Sequence, residues 1–136
     1  ETDAATQTTT VLLLDMSWSM SWVGRFPAAK RVALVVGNND YRYVPKLQKA
    51  VNDARTMGDT LKQLGFSVMV AENQTRQAFS QTLLAFDKAV EPGDTAFFFF
   101  AGHGFEIAGQ NFLLPTDVPA AEKWERVATF WAAFIA

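Results

Sequence analysis

The chain has 136 residues, of which 49% are hydrophobic and 19% are charged, and this apolar content predicts one folded domain. Its 12 Lys and Arg against 14 Asp and Glu give a net charge of -2, which does not favour nucleic acid or an anionic membrane as a partner. The sequence contains no cysteine, so disulfides, thiolate metal sites and a thiol nucleophile are excluded within these residues.

The N-terminal part of the chain has no regular pattern of apolar residues. We expect residues 1–29 to be a flexible or leader segment, because Glu1 to Thr10 are polar and rich in Thr. The apolar run Val11 to Leu14 is interrupted by Asp15 and is too short to cross a bilayer. We therefore expect a soluble protein without a membrane partner, in the cytoplasm or the periplasm.

Strand and helix patterns alternate from Lys30 onward. Three short apolar runs have the composition of strands buried on both faces: 31–36, 66–71 and 95–101. Between them, apolar residues recur at helical spacing in two segments: 50–64 and 75–90. Gly65 is expected to end the first helix, and Asn73 or Thr75 to begin the second.

This order predicts an α/β fold with three layers, in which a mostly parallel central sheet is flanked by helices. A short strand over 111–114 and a final apolar helix over 121–135 complete the predicted elements. Ligands of such sheets bind beyond the carboxyl ends of the strands. The loops 37–45 and 102–109 are therefore expected to form the functional site.

The second of these loops contains the only histidine, His103, between Gly102 and Gly104. Small neighbours, Ala101 among them, allow a substrate backbone to approach the imidazole closely. As a general base His103 can take a proton from a nucleophile, and the backbone N–H of Gly104 can stabilise an oxyanion. The alternative is a strand-end histidine that only hydrogen-bonds the chain.

Four segments resemble, in this order, the large-subunit region of bacterial caspase-like and metacaspase-like cysteine peptidases: RVALVVGNNDY, AVNDA, FFFFAGHG and GQNFLLPTD. The resemblance covers residues 30–119 and implies a partial caspase-like fold. It implies an endopeptidase that hydrolyses peptide bonds in a peptide or protein substrate. It assigns the catalytic base to His103 and an oxyanion amide to Gly104.

The resemblance also implies substrate contacts for Asp53, Ala101 and Asp117. In metacaspase-like members the carboxylate at the position of Asp53 selects a basic substrate side chain before the scissile bond, through ion pairing. The alternative for Asp53 is a carboxylate in the first turn of a helix, stabilised by the helix dipole alone. The family resemblance allows calcium dependence, but no motif here supports it, and we expect no metal site and no other cofactor.

The chain departs from the family at its nucleophile. Caspase signatures place the cysteine roughly 50 residues after the histidine, whereas this sequence ends at Ala136 without a cysteine. Residues 120–136 also do not resemble the family's usual continuation. We expect this chain alone to be inactive, either as a truncated domain or as a pseudo-enzyme that binds a peptide or protein. Without the strand that carries the family's cysteine, one edge of the sheet is left exposed. We expect residues 120–136 to cover this edge, or the edge to pair with a second copy of the chain in a homodimer.

A second motif precedes the first predicted strand. Asp15, Ser17 and Ser19 match the Asp-x-Ser-x-Ser pattern with which von Willebrand A-type domains hold magnesium. That fold needs a long helix after the motif, whereas here another strand begins about a dozen residues later. A metal-binding module is therefore the least favoured function, and a chance match in a leader segment is the preferred interpretation.

Overall fold

A computed structural model describes residues 8–17, 30–107 and 110–120, and the side chains within these ranges except those of 8–17, 105–107, 110 and 111. In chain order the elements are β1 Thr8–Ser17, β2 Arg31–Gly37, α1 Ala50–Gln63, β3 Ser67–Glu72, α2 Arg76–Ala89, β4 Thr95–Ile107 and β5 Gln110–Leu113. Neither of the two helices in these ranges is long and apolar enough to cross a membrane.

The strands form one sheet in which β4 has the most neighbours. The order is β1-β4-β2-β3, and β5 pairs with the far end of β4. β2 lies parallel to both β3 and β4, whereas β1 and β5 run antiparallel to β4. The parallel core follows from the strand-helix-strand order, because each helix carries the chain back to the same end of the sheet.

The two helices cover opposite faces of this sheet. Phe100 of β4 belongs to a buried cluster with Phe79 of α2, and their rings stack with centroids 5.9 Å apart. On the other face, Val35 and Phe99 pack with Ala54 of α1. Because successive side chains of a strand point to opposite faces, a strand covered on both sides needs an unbroken apolar sequence. The predicted three-layer α/β architecture is confirmed.

The helix boundaries agree with the local signals in the sequence. α1 ends just before Gly65, which has a φ of +89° that a residue with a side chain rarely adopts. At the start of α2 the side chain of Thr75 accepts a hydrogen bond from the backbone N–H of Ala78. Of the two predicted caps, Thr75 is therefore the N-cap, and Asn73 lies outside the helix.

Two regions differ from expectation. The third predicted strand ends at Ala101, but β4 continues to Ile107 because its second half pairs with β1 and β5. The segment expected as the loop 102–109 is therefore mostly strand. Residues 1–29 are expected to be a flexible or leader segment, yet Thr8–Ser17 form β1 along the whole first part of β4. The predicted final helix over 121–135 lies outside the described residues.

Candidate active site

His103 lies within β4, just past the parallel part of the sheet. β2 ends at Gly37, whose partner on β4 is Ala101, so His103 stands two residues beyond the last parallel pair. The loop between β2 and α1 packs over it, and His103 is only 5% exposed. The imidazole is thus near the loop after Gly37, as expected. It is buried beneath that loop, however, whereas its small neighbours predicted close access for a substrate backbone.

The two ring nitrogens of His103 have different surroundings. Nε2 lies 2.7 Å from the backbone carbonyl oxygen of Pro45. A carbonyl only accepts hydrogen bonds, so Nε2 carries a proton, and in the neutral ring the lone pair is then on Nδ1. Nδ1 is buried and has no hydrogen-bond partner in the part of the chain that the structure describes. Buried polar atoms are nearly always paired, which makes this nitrogen exceptional.

Tyr41 contacts both the backbone and the ring of His103. Its hydroxyl accepts a hydrogen bond from the His103 N–H at 2.9 Å and donates one to the carbonyl of Leu114 at 2.7 Å. The two rings meet edge to face, with centroids 4.6 Å apart. Burial raises the pKa of the Tyr41 hydroxyl well above its ordinary value. The hydroxyl therefore stays protonated and keeps both hydrogen bonds.

Asn38, directly after β2, joins three segments at this edge of the sheet. It is fully buried. Its Oδ1 accepts from the backbone N–H of Gln74 at 2.8 Å, and its Nδ2 donates to the Leu114 carbonyl at 3.3 Å. Its own N–H donates to the Ala101 carbonyl at 2.9 Å. Asn38 thus links the segments that follow β2, β3 and β5 through its side chain, and its backbone N–H ties them to β4.

Asn73 and Asn39 extend this network. The Oδ1 of Asn73 accepts from the backbone N–H groups of Asn39 and Asp40, at 2.9 and 3.1 Å. Asn73 has a φ of 51°, the left-handed region in which Asn is among the better tolerated residues. Asn39 in turn accepts from the N–H of Val51 in the first turn of α1. The sequence predicted the loop 37–45 after β2 but not these hydrogen bonds. Their only signal in the sequence was the adjacent pair Asn38 and Asn39 directly after a buried strand.

The backbone N–H and C=O groups of Gly104 point away from the loop that covers the imidazole. The N–H and C=O of His103 face Tyr41 and Leu114, and neighbouring residues of a strand direct these groups to opposite edges. Those of Gly104 therefore face β1, where its partner is Thr8. The predicted oxyanion amide is directed into the β1-β4 pairing, and its catalytic role stays a prediction.

The three predicted substrate residues are in different environments, and none contacts the imidazole through a hydrogen bond. Asp53 is exposed in the first turn of α1 and has no ion-pair partner among the described residues. Ala101 is 1% exposed, so its side chain packs inside the sheet. Asp117 accepts a hydrogen bond from the N–H of Arg76 at 2.9 Å, at the start of α2. Their contacts with substrate stay predictions.

The proposed magnesium motif is not arranged as a loop site. Asp15 and Ser17 lie in β1, and Asp15 pairs with Phe97, six residues along β4 from His103. Ser19 lies outside the described residues. Among the side chains that the structure describes, no three His, Asp or Glu residues are grouped so that they could hold a metal ion.

Comparison with known proteins identifies the family. Residues 30–134 match the model of the Caspase domain family. The chain is 38% identical over 98 residues to the human mucosa-associated lymphoid tissue lymphoma translocation protein 1, covering 68% of this chain and 11% of that protein. It is 30% identical over 86 residues to metacaspase-1 of Mycosarcoma maydis, covering 55% of this chain and 21% of that protein.

A third relative is caspase-1 of Rattus norvegicus, 32% identical over 82 residues, covering 59% of this chain and 20% of that protein. The chain therefore spans about a fifth or less of the length of these curated relatives. The narrower resemblance to bacterial members stays a prediction. Because the family model covers residues 30–134 of 136, this chain belongs to the caspase domain family of peptidases.

Proposed function

We propose that this chain supplies the general base of a caspase-like cysteine endopeptidase that hydrolyses peptide bonds. The observation that carries the proposal is the state of His103. Its Nε2–H is fixed by the Pro45 carbonyl, while Nδ1 is buried, carries the lone pair and has no partner among the described residues. A base that is oriented and unpaired in this way is prepared to accept a proton.

The reaction needs a thiol from outside residues 1–136, because the sequence has no cysteine. Nδ1 of His103 takes the thiol proton, and the thiolate attacks the scissile carbonyl carbon. The C–N bond then breaks, and the imidazolium returns the proton to the leaving amine. Water hydrolyses the resulting thioester, with the same nitrogen acting again as base. Throughout, the Pro45 carbonyl stabilises the imidazolium, because it accepts a hydrogen bond from Nε2.

For the substrate, we propose a peptide or protein with a basic residue before the scissile bond. The support is Asp53, whose exposed carboxylate is free of ion pairs among the described residues. An unpaired carboxylate gains more interaction free energy from an Arg or Lys side chain of the substrate than a carboxylate that already has an ion-pair partner. In a chain extended to include a cysteine, replacing Asp53 by Asn is expected to reduce cleavage after Arg.

The second candidate is a non-catalytic module that binds a peptide or protein through the same surface. The specific observation in its favour is the complete absence of cysteine from these residues. The buried polar network of Asn38, Tyr41 and His103 would then serve only to hold the loops. In that case Nδ1 of His103 would have no chemical role, although leaving this buried nitrogen without a hydrogen bond lowers the stability of the fold.

The first test assays this chain with reporter peptides that have Arg, Lys or Asp before the scissile bond. We expect no turnover, because the nucleophile is absent. Turnover that His103→Ala eliminates would reveal a different nucleophile and contradict the proposal.

The second test uses a chain extended past Ala136 along its own gene until it includes a cysteine. We expect hydrolysis that iodoacetamide blocks and that His103→Gln lowers by about 10²–10⁴-fold in kcat/KM. The matched control is Gln77→Ala, at an exposed position, and it should leave kcat/KM unchanged. Turnover that survives His103→Gln would remove His103 as the base. An extended chain that binds the peptides without cleaving them would favour the second candidate.

A further inference from the structure

The pairing of β4 with β5 is interrupted at His103. In a regular antiparallel ladder, every second pair of opposed residues exchanges both N–H to O=C hydrogen bonds. The bond from Leu114 to His103 marks these two residues as such a pair. Here Leu114 donates to the His103 carbonyl at 3.0 Å, but the reciprocal bond is absent. The Tyr41 hydroxyl takes its place, accepting from the His103 N–H and donating to the Leu114 carbonyl. One oxygen from a distant loop is thus inserted into the ladder beside the imidazole.

The space for this oxygen depends on Gly102. A Cβ at that position would lie 2.7 Å from the Tyr41 hydroxyl and 2.7 Å from the ring of Phe100, both closer than real Cβ contacts allow. Tyr41 itself is 1% exposed, so its ring is held on all sides. The glycine before the histidine therefore makes room for the inserted hydroxyl.

Tyr41 also holds the segment that contacts Nε2 of the imidazole. Its carbonyl accepts a hydrogen bond from Nζ of Lys46, and the next residue, Arg42, donates its N–H to the Thr116 carbonyl at 3.0 Å. Pro45 belongs to the same short loop. A displacement of Tyr41 would therefore move both the backbone of His103 and the carbonyl that fixes Nε2.

We infer that Tyr41 is a positioning residue for His103, with its hydroxyl inserted between β4 and β5 and its ring edge against the imidazole. It sets the ring so that Nε2–H meets Pro45 and Nδ1 remains unpaired. The catalytic meaning of this arrangement rests on the proposed function, whereas the arrangement itself does not. Because His103 is the only histidine, its ring signals can be assigned without ambiguity.

The test is ¹⁵N and ¹H NMR of the 136-residue chain at a pH where the ring is neutral. In the wild type we expect the tautomer protonated at Nε2. In Tyr41→Phe we expect the ring signals to move toward a mixture of the two tautomers. The His103 amide should also exchange at least about tenfold faster, since it has lost its acceptor.

The matched control is Tyr43→Phe, because Tyr43 lies in the same loop and is 62% exposed. It should leave the tautomer and the amide exchange as in the wild type. A folded Tyr41→Phe chain with a wild-type tautomer and wild-type exchange would overturn the inference.

A second measurement needs no substitution and remains decisive if Tyr41→Phe does not fold. The hydroxyl proton of Tyr41 should exchange slowly in the wild type and show a nuclear Overhauser effect to the His103 amide proton. If the folded wild-type chain shows no such contact, the inserted hydroxyl is disproved. Failure of the peptidase assays leaves these signals unaffected, so the loss of the proposed function and the loss of this inference are separate results.

Discussion

The two ends of β4 are held in different ways. At the Thr95 end the polar contacts converge on one side chain, the carboxylate of Asp94, which accepts from the N–H groups of Glu91 and Lys30 at 2.9 and 3.0 Å. Glu91 is three residues away, whereas Lys30 is 64 residues away and immediately precedes β2, the strand that pairs with Thr95. The carboxylate of Asp94 therefore links this end of β4 to the preceding turn and to the start of β2.

At the His103 end the contacts come from several segments, namely the loop after β2 and the segments that follow β3 and β5. Tyr41 and Pro45 are 62 and 58 residues from the histidine. Three polar residues here are almost fully buried: Asn38, His103 and Thr116. Burying polar groups is unfavourable unless each finds a partner. Three such residues lie at this end against one, Asp94, at the other, so this end is more sensitive to single changes. Among the described residues, most of the buried polar side chains therefore lie around the imidazole.

The largest effect on stability is expected from Asn38→Ala at the His103 end. The change leaves the partly buried N–H of Gln74 without its acceptor and removes one donor to the buried Leu114 carbonyl. We expect the free energy of unfolding to fall by about 1–3 kcal/mol, as measured by urea denaturation. The control Asn52→Ala, at an exposed position of α1, should stay within about 0.5 kcal/mol of the wild type. Equal effects of the two variants would contradict the buried network.

A smaller effect is expected from Asp94→Ala at the Thr95 end. The two backbone donors are left without the carboxylate, a loss similar to that of a helix cap, about 1 kcal/mol at neutral pH. Hydrogen bonds from the Glu91 N–H and then the Lys30 N–H, together with the Lys30 charge, hold the pKa of Asp94 below its ordinary value of 3.8.

The direction of that pKa shift predicts a pH dependence. The folded state binds the Asp94 proton less tightly than the unfolded state, so its stabilisation is present above the ordinary value of 3.8. It is lost as the pH falls from there through the lower folded pKa. Urea denaturation at a series of acidic pH values should show the wild type and Asp94→Ala converging. A difference that stays constant into that range would show that the carboxylate's charge is irrelevant.

The elements that the sequence predicted are those whose signals lie within them. α1 and α2 follow from apolar residues at helical spacing, together with Gly65 and the cap Thr75. β2 and β3 follow from short apolar runs that end in turn residues. The histidine was identified from its position after the most apolar strand, without knowledge of its surroundings.

The missed features depend on pairing between distant segments. The second half of β4 contains glycines and a histidine, and it becomes a strand only because β1 and β5 pair with it. The bonds of His103 to Tyr41 and Pro45 join residues more than 50 positions apart, and no local pattern reports them. The burial of the imidazole and the orientation of Gly104 follow from the same pairings, which is why both differed from expectation.

The smallest effect is expected at an exposed contact on the same edge of the sheet as His103. Arg55 of α1 donates two hydrogen bonds to Glu72 at the end of β3, at 2.5 and 2.8 Å, which holds the pKa of Glu72 below its ordinary value. The Arg55 side chain is 59% exposed, so water and salt screen the pair. We expect Glu72→Gln to shift the urea midpoint no more than the control Asp59→Asn, which alters an exposed carboxylate without an ion pair among the described residues. A loss as large as that of Asn38→Ala would mean that burial does not decide which polar contacts stabilise this edge.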